Sequence, residues 1–179
     1  MTPGGGDGDP IGGLLGDAGG PPASAPPGAT RQQAAISPPA ASATPSPTTS
    51  DVGAKQLYET AYGHLLQQDY GAAEAAFDDF LKRYPNDGLA GNAQYWLGES
   101  HYVRGQYKAA ASAFLKGYQS FGRSAKAPDS LLKLAMSLDR LGQKEQACLS
   151  FGELASKFPS APAHVKARAQ SERQRLGCA

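Results

Sequence analysis

The side chains able to do chemistry in this 179-residue chain are few, and their spacing limits what they can do. His64 and His101 lie 37 residues apart, and the next residue at that interval is Leu138. Equivalent positions on packed neighbouring helices are about 10 Å apart, too far for two imidazoles to share one metal, so this column reads as a packing position. His164 stands alone. No Gly-x-Ser-x-Gly, His-Glu-x-x-His or Gly-Lys-Ser/Thr phosphate loop occurs, and Asp78, Asp79, Glu145 and Glu153 fall on helix faces expected to be solvated. No acid/base, nucleophile or metal constellation is assembled, so no catalytic residue, metal or cofactor is assigned. Cys148 and Cys178 are the only cysteines. Either they bond and pin a terminal helix to the one before it, which implies an oxidising compartment, or Cys148 is a small buried residue and Cys178 a free tail thiol. The disulfide is the expected outcome, and peptide mapping without reduction distinguishes the two.

The elements that position these residues follow from a repeat. Ala61, Gly98 and Ala135 are 37 apart, as are Ala73, Ala110 and Ala147; Phe77, Phe114 and Phe151; and Pro85, Gly122 and Pro159. Each column has a packing reason. Small residues let paired helices approach, the phenylalanine fills the space between hairpins, and proline or glycine stops the second helix. This is the tetratricopeptide pattern, whose usual period is 34; the three extra residues are placed at the junctions Asn86 to Leu89 and Arg123 to Lys126. Helices are predicted over 54–67, 70–84, 90–104, 107–121, 127–141, 144–157 and 163–176, and no period-two alternation predicts a strand. The fold class is therefore all-α: a tetratricopeptide solenoid of three helix hairpins plus a C-terminal capping helix. Repeats run over about 54–87, 91–124 and 128–160, with the basic cap over about 163–176, inside a domain at 51–179. Lys166, Arg168, Arg173 and Arg175 on the cap suit a solvated end.

Residues 1–50 hold ten Gly, ten Pro and no aromatic residue, and read as a disordered Gly/Pro/Ala-rich linker. GGGDGDPIGG is similar to a glycine–aspartate calcium repeat but occurs once, and that motif binds only as a stacked array. The net charge of +1 forms no basic stripe for nucleic acid, and no apolar run is long enough to span a bilayer. MTPGGGDGDP shows no basic stretch followed by an apolar one, so no export signal is visible in it.

A solenoid of this kind presents its first helices to a concave groove. Here those positions hold Lys55, Tyr58, Tyr62, Leu65 and Leu66, then Asn92, Tyr95, Glu99, Tyr102 and Val103, then Asp129, Leu132, Met136, Asp139 and Arg140, with Trp96 beside the second set. Four tyrosines and a tryptophan are the residue types that dominate binding hot spots, so the expected ligand is a helical or extended peptide. Some of these rings, Tyr95 and Trp96 above all, are alternatively core residues.

The block NAQYWLGESHYVRGQYKAAASAFLKGY (92–118), then SAKAPDSLLKLAMSL (124–138), with YETAYGHLLQQDYGAAEAAFDDFLKRYPND (58–87) before it, resembles the C-terminal tetratricopeptide domain of the CpoB/YbgF family. The resemblance covers about 54–178 and includes the 37-residue spacing and the AKAPDS junction. The two cysteines resemble a subset of that family. It implies a non-enzymatic periplasmic adaptor of the Tol-Pal system that couples peptidoglycan synthesis to outer-membrane constriction during division. The partners it implies are TolA and a bifunctional peptidoglycan synthase. Family members usually begin with a signal peptide and a trimerising coiled coil; neither is seen in this sequence, so a monomer is expected. The alternative reading is a scaffold of outer-membrane protein assembly, a class expected to carry a lipidated N-terminal cysteine and more repeats.

Overall fold

The computed structural model describes residues 49–178. The linker expected over 1–50 lies outside them, except for Thr49 and Ser50, which open the first helix. The helices are α1 (Thr49–Leu66), α2 (Tyr70–Arg83), α3 (Ala90–Val103), α4 (Tyr107–Ser120), α5 (Ala127–Arg140), α6 (Lys144–Lys157) and α7 (Ala163–Leu176). No strand occurs among the described residues. The start of α1 moves most, from the expected 54 to Thr49; Pro47 stands two residues before it, and no helix breaker falls between 49 and 52.

Three hairpins form, α1/α2, α3/α4 and α5/α6. Each second helix also packs on the first helix that follows it, and α3 touches α1 and α5 as α7 touches α5. The first helices and α7 therefore make one layer, and α2, α4 and α6 the other, which is the all-α three-hairpin solenoid with a terminal helix.

Each first helix ends in the same backbone device. The amides of Gln68, Gly105 and Gly142 donate to the carbonyls of Leu65, Tyr102 and Asp139 at 2.9, 3.0 and 2.9 Å. The next amides, of Asp69, Gln106 and Gln143, donate to His64, His101 and Leu138, all at 2.9 Å. This is a Schellman cap, which places one residue in the left-handed region. What the His64/His101/Leu138 column supplies here is a carbonyl, so the third copy functions with leucine. Glycine takes the left-handed position twice, but in the first hairpin Gln68 does, at φ 61°. A side chain there costs about 1 kcal/mol. Gln68→Gly is expected to raise the unfolding free energy by about that amount in urea melts; no change would mean that another Gln68 contact offsets the strain. Asp69 then caps α2 by accepting the Ala72 amide at 3.1 Å.

The column residues meet in the core. Ala61, Ala73, Phe77, Ala110, Phe114, Ala135, Ala147 and Phe151 are buried. A Cβ on Gly98 would lie 2.5 Å from the Phe114 ring, and one on Gly117 would lie 2.8 Å from Ser130 Oγ. The three extra residues per period form tandem turns. Asp87 N donates to Tyr84 O and Ala90 N to Asp87 O; one repeat on, Ser124 N donates to Phe121 O and Ala127 N to Ser124 O.

Candidate functional site: an aromatic and charged trough on the first-helix layer

Tyr58, Tyr95 and Leu132, expected in the groove, are 1, 7 and 6% exposed. The two rings face their own second helices: Tyr58 meets Phe77 and Phe80 edge-on at 5.7 and 5.9 Å, and Tyr95 meets Phe114 at 5.8 Å; Leu132 belongs to the buried core cluster. That column is core, because a large ring there fills the hairpin interior that the small residues leave open. The residues one position on, Trp96 and Lys133, take its place on the surface. Trp96 is half-buried; it lies 5.4 Å from Tyr62 and 5.0 Å from Tyr95, and its indole N–H donates to Tyr58 Oη at 3.1 Å. Lys126 Nζ stands over Tyr95 and Trp96 at 5.3 and 5.6 Å. Asn92, Tyr62, Glu99, Tyr102, Asp129 and Met136 are half-buried, and Arg140 is exposed.

The middle of the trough is ionic. Lys133 Nζ lies 2.9 Å from Glu99 and 4.8 Å above the Tyr102 ring. Burial pushes the Glu99 carboxyl above its ordinary value, with Asp129 adding to the shift and Lys133 and Lys126 opposing it. Burial likewise raises the Tyr95 phenol, with Glu99 and then Asp129 contributing. Toward the C-terminal end, Tyr102, Met136, Asp139 and Arg140 meet Arg168, Glu172 and Arg175 around a polar cleft of about 380 Å³. Arg175 pairs with Asp139 and, at 2.8 Å, with Glu172; Arg168 holds the other Glu172 oxygen at 2.8 Å. Arg140 donates to Tyr107 Oη at 2.7 Å and lies 5.0 Å from that ring's centroid.

The raised Glu99 value fixes the sign of a pH effect. Above the ordinary glutamate value of 4.5, the unfolded chain loses this proton before the folded chain does. Its contribution to stability therefore falls as pH rises through that window, until the folded carboxyl ionises too. Urea melts from about pH 4 to about pH 7 should show wild type losing ground to Glu99→Gln as pH increases. A difference that is flat or grows the other way would mean the Lys133 pairing outweighs burial.

Sequence reasoning placed neither Lys126 nor Lys133 in the trough, nor α7's Arg168, Glu172 and Arg175. The signal for Lys133 was available, because it stands 37 residues after Trp96. For α7 there was none, since its charges read as a solvated face. The histidines are apart from the trough's centre. His101 Nδ1 is 2.7 Å from Gln106 Oε1, and His164 Nε2 is 3.7 Å from Asp129 on the rim. Among the described residues, no three His, Cys, Asp or Glu side chains are grouped to hold a metal, and no helix is long and apolar enough to cross a membrane. Cys148 and Cys178 are joined by a disulfide, with their Cα atoms 5.5 Å apart.

Stacked hairpins with such a trough define a class of scaffolds that bind other proteins. Tetratricopeptide-repeat family models match residues 58–129 and 129–161, together more than half of the chain, and the chain belongs to the tetratricopeptide-repeat family. It is similar to proteins named cell division coordinator CpoB, one from Pseudomonas putida strain KT2440 and one from Pseudomonas putida. Each is 47% identical over 51 residues, which is 28% of this chain and 19% of the relative. The match thus spans about a fifth of the length of these relatives.

Proposed function

We propose that this chain is a non-enzymatic adaptor in cell division. In this reading it works in the periplasm within the Tol-Pal system and coordinates peptidoglycan synthesis with outer-membrane constriction. TolA and a bifunctional peptidoglycan synthase are its partners. The observation that carries the reading is the 47% identity to cell division coordinators over 51 residues. The Cys148–Cys178 disulfide supports it, because such bonds persist in oxidising compartments. So does the trough, which offers aromatic anchors flanked by charge.

The partner segment lies along Tyr62 and Trp96, passes the Glu99–Lys133 pair and ends near Tyr102, Met136 and Arg140. Asn92 and Asp129 flank this path. The test is capture of the periplasmic part of TolA on immobilised chain. Tyr62→Ala with Tyr102→Ala should weaken capture about tenfold or more, as loss of two aromatic anchors does, while circular dichroism stays unchanged. Capture that survives both changes would remove the trough from the reading. No capture by the wild-type chain would remove TolA as its partner.

A further inference from the structure

Lys126, the N-cap residue of α5, is followed at equal intervals by Lys133 and Arg140. The interval is one heptad, which falls only about 20° short of two helical turns. The three cations therefore form one stripe along the edge of the trough. Rings of the preceding hairpin support each of them. Lys126 Nζ lies over Tyr95 and Trp96, Lys133 Nζ over Tyr102, and the Arg140 guanidinium over Tyr107. Tyr102 and Tyr107 meet edge-on at 5.3 Å, so the last two steps of this ladder are joined.

The three cations differ in what balances them. Lys133 pairs with Glu99 at 2.9 Å. Arg140 donates to the neutral Tyr107 phenol at 2.7 Å, and neither it nor Lys126 pairs with a carboxylate among the described residues. The nearby carboxylates are engaged elsewhere. Asp139 and Glu172 pair with Arg168 and Arg175, and Asp129 lies 3.7 Å from His164. A ring face or one phenol leaves most donors of an ammonium or a guanidinium unused. Lys126 and Arg140 can thus each take a carboxylate without giving up a contact they already make.

The two lie about 20 Å apart along α5, a distance that about six residues of extended chain span. Half-buried Trp96, Tyr102 and Met136 offer apolar surface along the way. Asn92, one turn before Trp96, is half-buried, and its side-chain amide makes no hydrogen bond among the described residues. An amide both donates and accepts, which suits the free N–H and C=O groups of an extended backbone and not a helix, whose groups are paired internally.

We propose that the trough receives an extended segment of a partner protein that carries two acidic side chains about six residues apart with apolar residues between them. One carboxylate pairs with Lys126 and the other with Arg140. The apolar residues lie over Trp96, Tyr102 and Met136, and the segment passes the Glu99–Lys133 pair without a charge of its own. This rests on the trough being the binding surface and adds the charge pattern of its guest.

The test uses the whole chain and a fluorescent peptide capped at both ends, so that no terminal carboxylate takes part. Glutamate stands first and seventh, with leucine, proline and phenylalanine between; proline keeps the peptide out of a helix. Fluorescence anisotropy should show saturable binding that weakens with added salt. Lys126→Gln and Arg140→Gln should each weaken it about threefold, as loss of one exposed charge pair does. Together they should cost about tenfold and remove most of the salt dependence. A peptide of the same composition with both glutamates at one end should bind about threefold more weakly. Circular dichroism checks that each variant folds. No binding of the glutamate peptide, binding indifferent to the two variants together, or equal binding of the rearranged peptide would overturn the proposal. Equal binding of a version with glutamine for glutamate would overturn it too, while leaving the trough in place as the binding surface. Charge-dependent binding that Tyr62→Ala with Tyr102→Ala leaves intact would support the charge pattern and remove those rings as anchors, so the two failures are told apart.

Discussion

Replacing Cys148 and Cys178 together by serine should lower the unfolding free energy by about 3–4 kcal/mol, the entropy that closing a loop of this length removes from the unfolded chain. The bond spans 30 residues of sequence and joins α6 to the second residue past α7. Few other contacts anchor that terminus. α7 buries only Val165, Ala169 and Glu172, and its pairs to α5, Arg175 with Asp139 and His164 with Asp129, use α7 side chains more than half exposed. Exposed pairs contribute about 0–1 kcal/mol each, so the covalent link dominates. In urea melts, wild type with reductant should fall to the stability of the double serine variant, and reductant should not affect that variant. Hydrogen exchange should locate the loss first in the amides of α7. A double variant as stable as oxidised wild type would show that burial of Val165 and Ala169 suffices to hold the terminal helix.

The solenoid was legible because its signal repeats. A column such as Phe77, Phe114 and Phe151 recurs at one interval, and helix ends are marked by Pro85, Gly105, Gly142 and Pro159, whose backbone chemistry is local. The trough was legible only in outline. Tyr58 and Tyr62 look alike in sequence, yet one turn of helix separates a ring locked against Phe77 and Phe80 from a ring on the surface. Which face a helix shows its neighbour depends on its rotation in the stack, and the identity of an aromatic residue does not encode that rotation. Glu172 makes the same point from the other side. It reads as a solvated charge, but it is 8% exposed because Arg168 and Arg175 of its own helix close over it, and Asp139 of α5 balances them. The pairing with Asp139 is set by tertiary placement, so charge counting along α7 misses it.

Phe114→Ala should be the most damaging single core substitution, at about 3–5 kcal/mol. Its ring is fully buried against Tyr95 and sits where a Gly98 side chain would otherwise be. Phe77 and Phe151 occupy the same column, but the facing small residues there are Ala61 and Ala135. Their methyl groups already take part of the space, so a hole at position 77 or 151 is smaller and costs less. Phe114 also belongs to the middle hairpin, whose loss removes two interfaces of a chain held together by nearest-neighbour contacts. Urea melts should therefore rank Phe114→Ala below Phe77→Ala and Phe151→Ala. The pairing with Gly98 gives a sharper check. Gly98→Ala alone forces its Cβ to 2.5 Å from the ring and should destabilise, whereas in the Phe114→Ala background the same methyl fills part of the cavity. The double variant should therefore be more stable than the sum of the single effects, by a coupling above about 0.5 kcal/mol. Strict additivity would mean that the helices relax around position 114 and that the contact with Gly98 does not set the spacing of the central hairpin.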